Sequence, residues 1–198
     1  MLAALHGQVW NASQVGQSMG LSYQTVNSYL DYLAGAFLIR RLPPYQANIR
    51  KRLVKTPRIY WRDTGLLHAL LNVPDERTLL AQPWVGASWE GFVIEQLIGE
   101  LSAAGWNFTP YYFRTNDQFE LDIVLDVGRE LWAIEIKLTS SPSTADMDRL
   151  NEVADMVRAD RRFLVTRTNR PAGDEYRASC NLPSLIGQLG RMKASQET

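Results

Sequence analysis

The sequence predicts an α/β (α+β) chain: a small helical unit with two short strands, then a helix, three strands, a helix and a strand. Two hydrophobic periods and one break between them predict it. In the first forty residues Val26, Leu30 and Leu33 recur at helical spacing. Residues 119–126 (FELDIVLD) and 130–138 (ELWAIEIKL) instead alternate at the period of two that a strand requires. Between these regions, residues 72–85 open on Asn72-Val73-Pro74-Asp75 and read as a connection. The expected parts are therefore 1–71, the connection 72–85, and 86–198.

The first part begins with a predicted helix over Leu2–Val9. Ser13 is placed to cap a second helix, Gln14–Met19, which Gly20 stops. Ser22 caps a third, whose stripe of Val26, Tyr29, Leu30, Leu33 and Phe37 is expected to be buried. Tyr23, Gln24, Asn27 and Asp31 fall on its other side. Helix, Gly-containing turn, helix is the helix-turn-helix pattern, and Gln24 and Asn27 carry the amide chemistry that reads adenine in a major groove. The third helix has no Lys or Arg, however, and units of this kind also bind protein or brace a neighbouring domain.

Phe37–Leu42, stopped by Pro43-Pro44, and Arg58–Trp61 read as two strands. With the loop Ile49–Lys55 between them they turn the helical unit into a winged helix-turn-helix. Net charge is zero overall but uneven: residues 38–62 hold eight cations, among them Arg50, Lys51, Arg52 and Lys55, and no acid. Such a stretch suits the phosphates of DNA. The alternative is pairing with the acidic remainder of the chain or with a partner. Asp63 caps a short helix, Thr64–Leu71. His68 lies in that apolar helix and reads as a packed residue rather than a ligand.

In the second part, Ala87–Leu101 is strongly helical. Glu90 falls on its apolar stripe, with Val93, Ile94, Leu97, Ile98 and Leu101. A carboxylate there must be paired, protonated or coordinated, so Glu90 is either a satisfied core residue or a group aimed into a site. Thr109–Arg114 is the first strand, and the two alternating runs around Val127-Gly128-Arg129 form a hairpin. Asp122 shares a face with Val124, and Glu135 and Lys137 share one with Ala133. Two carboxylates and an ammonium on adjacent strands can hold a divalent cation and orient a water, or can simply be the solvated face of a hairpin. Ser143 or Thr144 then caps a helix to about Val157, Arg162–Thr166 is a strand, 167–181 reads as a loop, and Pro183–Leu189 as a last helix before a frayed tail from Met192.

This order, with Glu90 on the first helix, Asp122 on the second strand and Glu135-Ile136-Lys137 on the third, resembles the PD-(D/E)xK restriction-endonuclease-like superfamily and its α-β-β-β-α-β core. The resemblance implies a Mg²⁺- or Mn²⁺-dependent DNA phosphodiesterase. In it Asp122, Glu135 and the carbonyl of Ile136 would bind the metal, Lys137 would orient the attacking water, and Glu90 would assist. Leu121 stands where the pattern has Pro. The chain is also similar to the C-terminal region of a prokaryotic AAA+-type ATPase family, through TVNSYLDYLAGAFLIRRLPPY, KRLVKTPRIYWRDTGLLHALL, GASWEGFVIEQL, YYFRTNDQFELDIVL and AIEIK. It contains no G-x-x-x-x-G-K-[ST], so no ATP site is expected in this chain. The resemblance implies either a missing N-terminal domain or a partner ATPase. A second function therefore stands beside the nuclease: a non-catalytic DNA- or protein-binding module that works with such an ATPase.

One cysteine, Cys180, allows no internal disulfide and suits the cytoplasm. With two histidines, a structural zinc site is not expected. No apolar run has the length of a membrane span, and no membrane association is expected.

Overall fold

A computed structural model describes residues 1–49 and 52–196. It is a mixed α and β structure with two sheets, and it divides into two compact units. The first comprises Met1–Pro43 and Lys55–Phe92, the second Pro44–Val54 and the chain from Val93 onward.

In the first unit, α1 (Ala12–Met19) starts at Asn11, whose side chain accepts from Gln14 N, and ends at Gly20 in the left-handed conformation. Asn11 takes the capping place expected of Ser13. Ser22 caps α2 (Tyr23–Gly35) by accepting from Thr25 N, as its sequence position suggests. Val26 and Leu30 are buried in a cluster with Trp10, Val15, Ile39, Ile59, Trp61 and Leu67. Tyr29 and Phe37 are exposed, contrary to the expected stripe. Helix α2 stops at Gly35, and Phe37 takes a φ of 59° with the Arg62 guanidinium over its ring.

The sheet of this unit has the order β1 (Gln8–Val9), β3 (Arg58–Trp61), β2 (Ile39–Leu42), all antiparallel. The expected helix over Leu2–Val9 is only a 3₁₀ turn, Leu2–Leu5. Gln8 and Val9 pair with Ile59 and Arg58 instead, a non-local contact that overrides local helical spacing. Asp63 caps α3 (Thr64–Leu70). The connection 72–85 holds a further short helix, α4 (Glu76–Leu80), capped by Asp75. Helix α5 spans Val85–Ala103, with Val93, Ile94, Leu97 and Leu101 buried.

The second unit is a six-stranded sheet of order β4 (Thr109–Arg114), β5 (Glu120–Val127), β6 (Glu130–Ile136), β7 (Arg161–Thr166), β9 (Arg177–Asn181), β8 (Ala172–Gly173). The β5–β6 hairpin is antiparallel and turns at Gly128, whose φ of 73° favours glycine. Strands β6, β7 and β9 run parallel. Helix α6 (Thr144–Val157) makes the β6-to-β7 crossover. It packs Leu150, Val153 and Ala154 onto Val124, Ala133 and Leu164. Trp132 and Phe163 lie edge to face, and Trp106 meets Trp132 likewise. The residues expected as a loop, 167–181, contain β8 and β9. Helix α7 (Leu182–Gln196) runs through the expected frayed tail, with Met192 buried.

Residues 44–49 and 52–54 lie along the outer edge of β4. Pro44 bridges Tyr112, Leu53 bridges Thr115, Tyr45 N donates to Tyr112 O at 2.6 Å, and Val54 N donates to Arg114 O at 3.0 Å. An edge strand left bare would expose unpaired backbone groups. Here Tyr45, Ala47, Ile49 and Leu53 also pack on the apolar cluster beneath.

Candidate functional site

The hairpin register pairs Ile123 with Ile134 and Val124 with Ala133. One step further along that register sets Asp122 opposite Glu135. Directly opposed residues of an antiparallel pair have Cβ atoms on the order of 4.5–5.5 Å apart. Because side chains alternate, both carboxylates share the face of Val124 and Ala133, which are fully buried under α6. The charged face is thus no open hairpin surface. Asp122 is buried, and its Oδ2 accepts from Ile136 N at 2.8 Å. Glu135 is half-buried.

Lys137 follows the last residue of β6, and its backbone N–H is pinned to Val165 O at 2.9 Å. Its Nζ donates to Asp146 Oδ1 at 2.6 Å. Asp146 sits in the first turn of α6. Its Oδ2 also accepts from Ser143 N at 2.8 Å and Ser143 Oγ at 2.7 Å. Ser143 and Asp146 form a reciprocal capping box. The Lys137 ammonium and the Ser143 donors hold the Asp146 carboxyl far below the usual carboxylate range. Sequence reading reached Ser143 as a cap but missed Asp146. The Ser-x-x-Asp spacing ahead of an apolar stripe is the signal that locates it.

Glu90 belongs to the first unit and has partners there. Its Oε1 accepts from Arg58 Nη1 at 3.1 Å and from the Tyr60 hydroxyl. Both donors lie on β3 and are buried. His6 packs edge-on against Tyr60. Its Nδ1 accepts from Trp61 N at 3.0 Å, so Nε2 carries the proton and donates to Ala87 O at 3.1 Å. Burial lowers the His6 pKa to about 4. Gly91 lets the ring in: a Cβ there would lie 2.5 Å from His6 Nε2. His68 is held by Ser88 Oγ at 2.7 Å, as a packed residue.

The residues assigned to nucleic-acid contact are dispersed. Gln24 is exposed on α2, while Asn27 Oδ1 accepts from Trp10 Nε1 at 2.9 Å. Asp31 on the same helix pairs with Arg41. Arg52 and Lys55 are exposed, and the Arg52 carbonyl accepts from Asn116 N at 3.0 Å. Arg50 and Lys51 lie outside the described residues.

Among the described residues no group of three or more His, Cys, Asp or Glu side chains is placed to hold a metal. Mg²⁺ does not demand one. It takes one or two carboxylates and completes its octahedron with waters and substrate phosphate oxygens. The pair Asp122 and Glu135 fits that donor set and does not suit zinc. No helix is long and apolar enough to cross a membrane among the described residues.

Residues 85–185 match a family model described as a domain of unknown function (DUF4143), and residues 1–77 match another (DUF8612). Uncharacterised proteins of Mycobacterium tuberculosis and Mycobacterium bovis are each 43% identical to this chain over 143 residues. That span is 72% of this chain and 32% of each relative, so the chain spans about a third of the length of the curated relatives it matches. No solved structure matches it. The DUF4143 match covers just over half of the sequence, and the chain belongs to that domain family.

Proposed function

We propose that the chain binds nucleic acid and carries a Mg²⁺-dependent phosphodiesterase site at Asp122, Glu135 and Lys137. The observation that supports this reading is the hairpin register, which, continued one step past Ile123 and Ile134, opposes the two carboxylates on the face covered by α6, two residues before Lys137. In the proposed site Asp122 and Glu135 hold the cation, with the Ile136 carbonyl as a third oxygen. The Ile136 amide fixes the Asp122 carboxylate, so one oxygen is aimed before any ligand arrives. Bound Mg²⁺ or Mn²⁺ would lower the pKa of a water and stabilise charge on the scissile phosphate. Lys137 would orient that water, and Asp146, which accepts from its ammonium, is a positioning residue for it. Glu90 is satisfied by Arg58 and Tyr60, which favours a structural contribution over a metal contact.

The first unit would deliver the substrate. Its helix pair followed by a β2–β3 sheet is consistent with a winged helix-turn-helix, and the cations Arg50, Lys51, Arg52 and Lys55, of which Arg52 belongs to the second unit and Lys55 to the first, would meet DNA phosphates. We place this activity in the cytoplasm. The test is cleavage of plasmid and oligonucleotide DNA with Mg²⁺ or Mn²⁺ by the parent and by Asp122→Asn. Asn keeps an acceptor for Ile136 N, so the fold should survive while cleavage is lost.

A second reading is favoured by one observation. Helix α2 exposes Tyr29 and Tyr32 and carries no cation. That surface suits a protein better than a polyanion, and the unmatched length of the relatives leaves room for an AAA+-type ATPase as the partner. On this reading the parent cleaves no DNA form with either metal.

A further inference from the structure

The second unit has a cleft of about 920 Å³ on the face of the sheet that α6 only partly covers. Ser140, Thr144, Met147, Arg170, Arg177 and Ser179 line it, and Leu164, which borders it, is fully buried. The parallel registers pair Glu135 with Leu164 and Leu164 with Ser179. These three residues therefore form a row across β6, β7 and β9 on one face. At about 4.8 Å per strand, Ser179 stands roughly 10 Å from Glu135. The size is that of a small-ligand pocket.

Three features point to what the cleft takes. Arg170 and Arg177 are exposed and line the cleft, Arg177 within electrostatic reach of Asp174. Asp174, the acid in the same cleft, already accepts from Tyr176 N and Arg177 N, each at 2.8 Å. The Ser179 hydroxyl oxygen at the edge of the cleft is buried and has no hydrogen-bond partner. Two guanidiniums suit a phosphate, since their planar forks bind its oxygens bidentately. The half-buried Met147 side chain suits the apolar face of a base or sugar.

We propose that this cleft is a nucleotide subsite: it holds one nucleotide of the strand whose scissile phosphate lies at Asp122 and Glu135. The proposal rests on the phosphodiesterase reading and adds the element that reading lacks, a place for the strand beyond the cut. Arg170 and Arg177 grip the phosphate, and the row to Glu135 sets the spacing.

The test uses the full chain and a fluorescein-labelled single-stranded oligonucleotide with metal chelated, so that nothing turns over. Anisotropy is read at several salt concentrations. For Arg170→Ala with Arg177→Ala the log–log salt slope should become less negative by about 0.7, the value for one phosphate of a single strand. The pair Arg77→Ala and Arg129→Ala, exposed and outside the cleft, should leave the slope unchanged. An unaltered slope in the Arg170/Arg177 variant, an equal change in the Arg77/Arg129 control, or a parent that does not bind the oligonucleotide would overturn the subsite. Cleavage by Asp122→Asn is measured separately. If it equals the parent's, the phosphodiesterase reading fails and takes with it the strand assignment. If it is lost while the slope is unaltered, the subsite alone fails.

Discussion

Glu90→Gln is the substitution whose outcome follows most directly from the packing. Arg58 and Glu90 side chains are 5% and 16% exposed, and the carboxylate also receives the Tyr60 hydroxyl. Removing one partner of a buried pair leaves the other charge unpaired and costs about 3–5 kcal/mol. Gln keeps an acceptor for Tyr60, which places the loss near the lower end, about 3 kcal/mol. For a chain of this size melting as one unit, that is a fall in Tm of on the order of 6–12 °C. Tyr60→Phe should cost less, about 1 kcal/mol. Arg58→Met combined with Glu90→Leu should recover most of the loss, because apolar replacement of both partners removes the stranded charge. The assay is thermal unfolding followed by circular dichroism, run beside metal-dependent cleavage at a temperature where each variant is folded. A Glu90→Gln protein with unchanged Tm and abolished cleavage would refute this reasoning and return Glu90 to the metal site.

The other predictions address the pinned helices and the basic loop. Buried neutral His6 has a folded pKa of about 4, below its unfolded value near 6.5. Its stability contribution should be complete above pH ~6.5 and lost as pH falls from there to about 4, by roughly 3 kcal/mol in all; a urea midpoint flat across that window in the parent would contradict it. Gly91→Ala should destabilise by about 1–3 kcal/mol, because its Cβ would meet the His6 ring, and His6→Ala should relieve the clash in the double variant. Asp146→Asn should cost about 0.5–2 kcal/mol at neutral pH through the capping box. That difference should vanish in acid, since a carboxyl with a lowered folded pKa gives up its contribution as pH falls through that pKa; chemical denaturation at pH 7 and in acid reads it. Replacing Arg50, Lys51, Arg52 and Lys55 with Ala should flatten a duplex-DNA salt slope of roughly −3 to −4 while leaving metal binding at Asp122 intact. An unchanged slope by fluorescence anisotropy would mean that the loop faces protein.

Local patterns made much of this chain legible. The alternation in 119–138 predicted both strands of the β5–β6 hairpin and the shared face of Asp122 and Glu135. Cap chemistry predicted the ends of α2, α3 and α6 at Ser22, Asp63 and Ser143. What escaped depends on partners remote in sequence. Gln8 and Val9 are a strand because Ile59 and Arg58 lie beside them. Residues 177–181 become a central strand because β7 and β8 flank them, although RASCN has little strand character of its own. Residues 44–49 and 52–54 follow the β4 edge through backbone bonds that no side-chain pattern announces. Glu90 was correctly placed on the apolar stripe of its helix, but only the fold reveals Arg58 and Tyr60 as its partners. Asp146 was one capping-box pattern away from recognition, whereas its hold on Lys137 needed the α6 crossover to be seen.

The central claim is that Asp122 and Glu135 form a divalent-cation site. Calorimetric titration of Mg²⁺ and Mn²⁺ into the parent, Asp122→Asn and Glu135→Gln tests it directly, with circular dichroism to show that all three are folded. The account predicts one site in the parent and its loss in both variants, with Glu90→Gln retaining it. Equal binding by the parent and Asp122→Asn, or none by the parent, would contradict it.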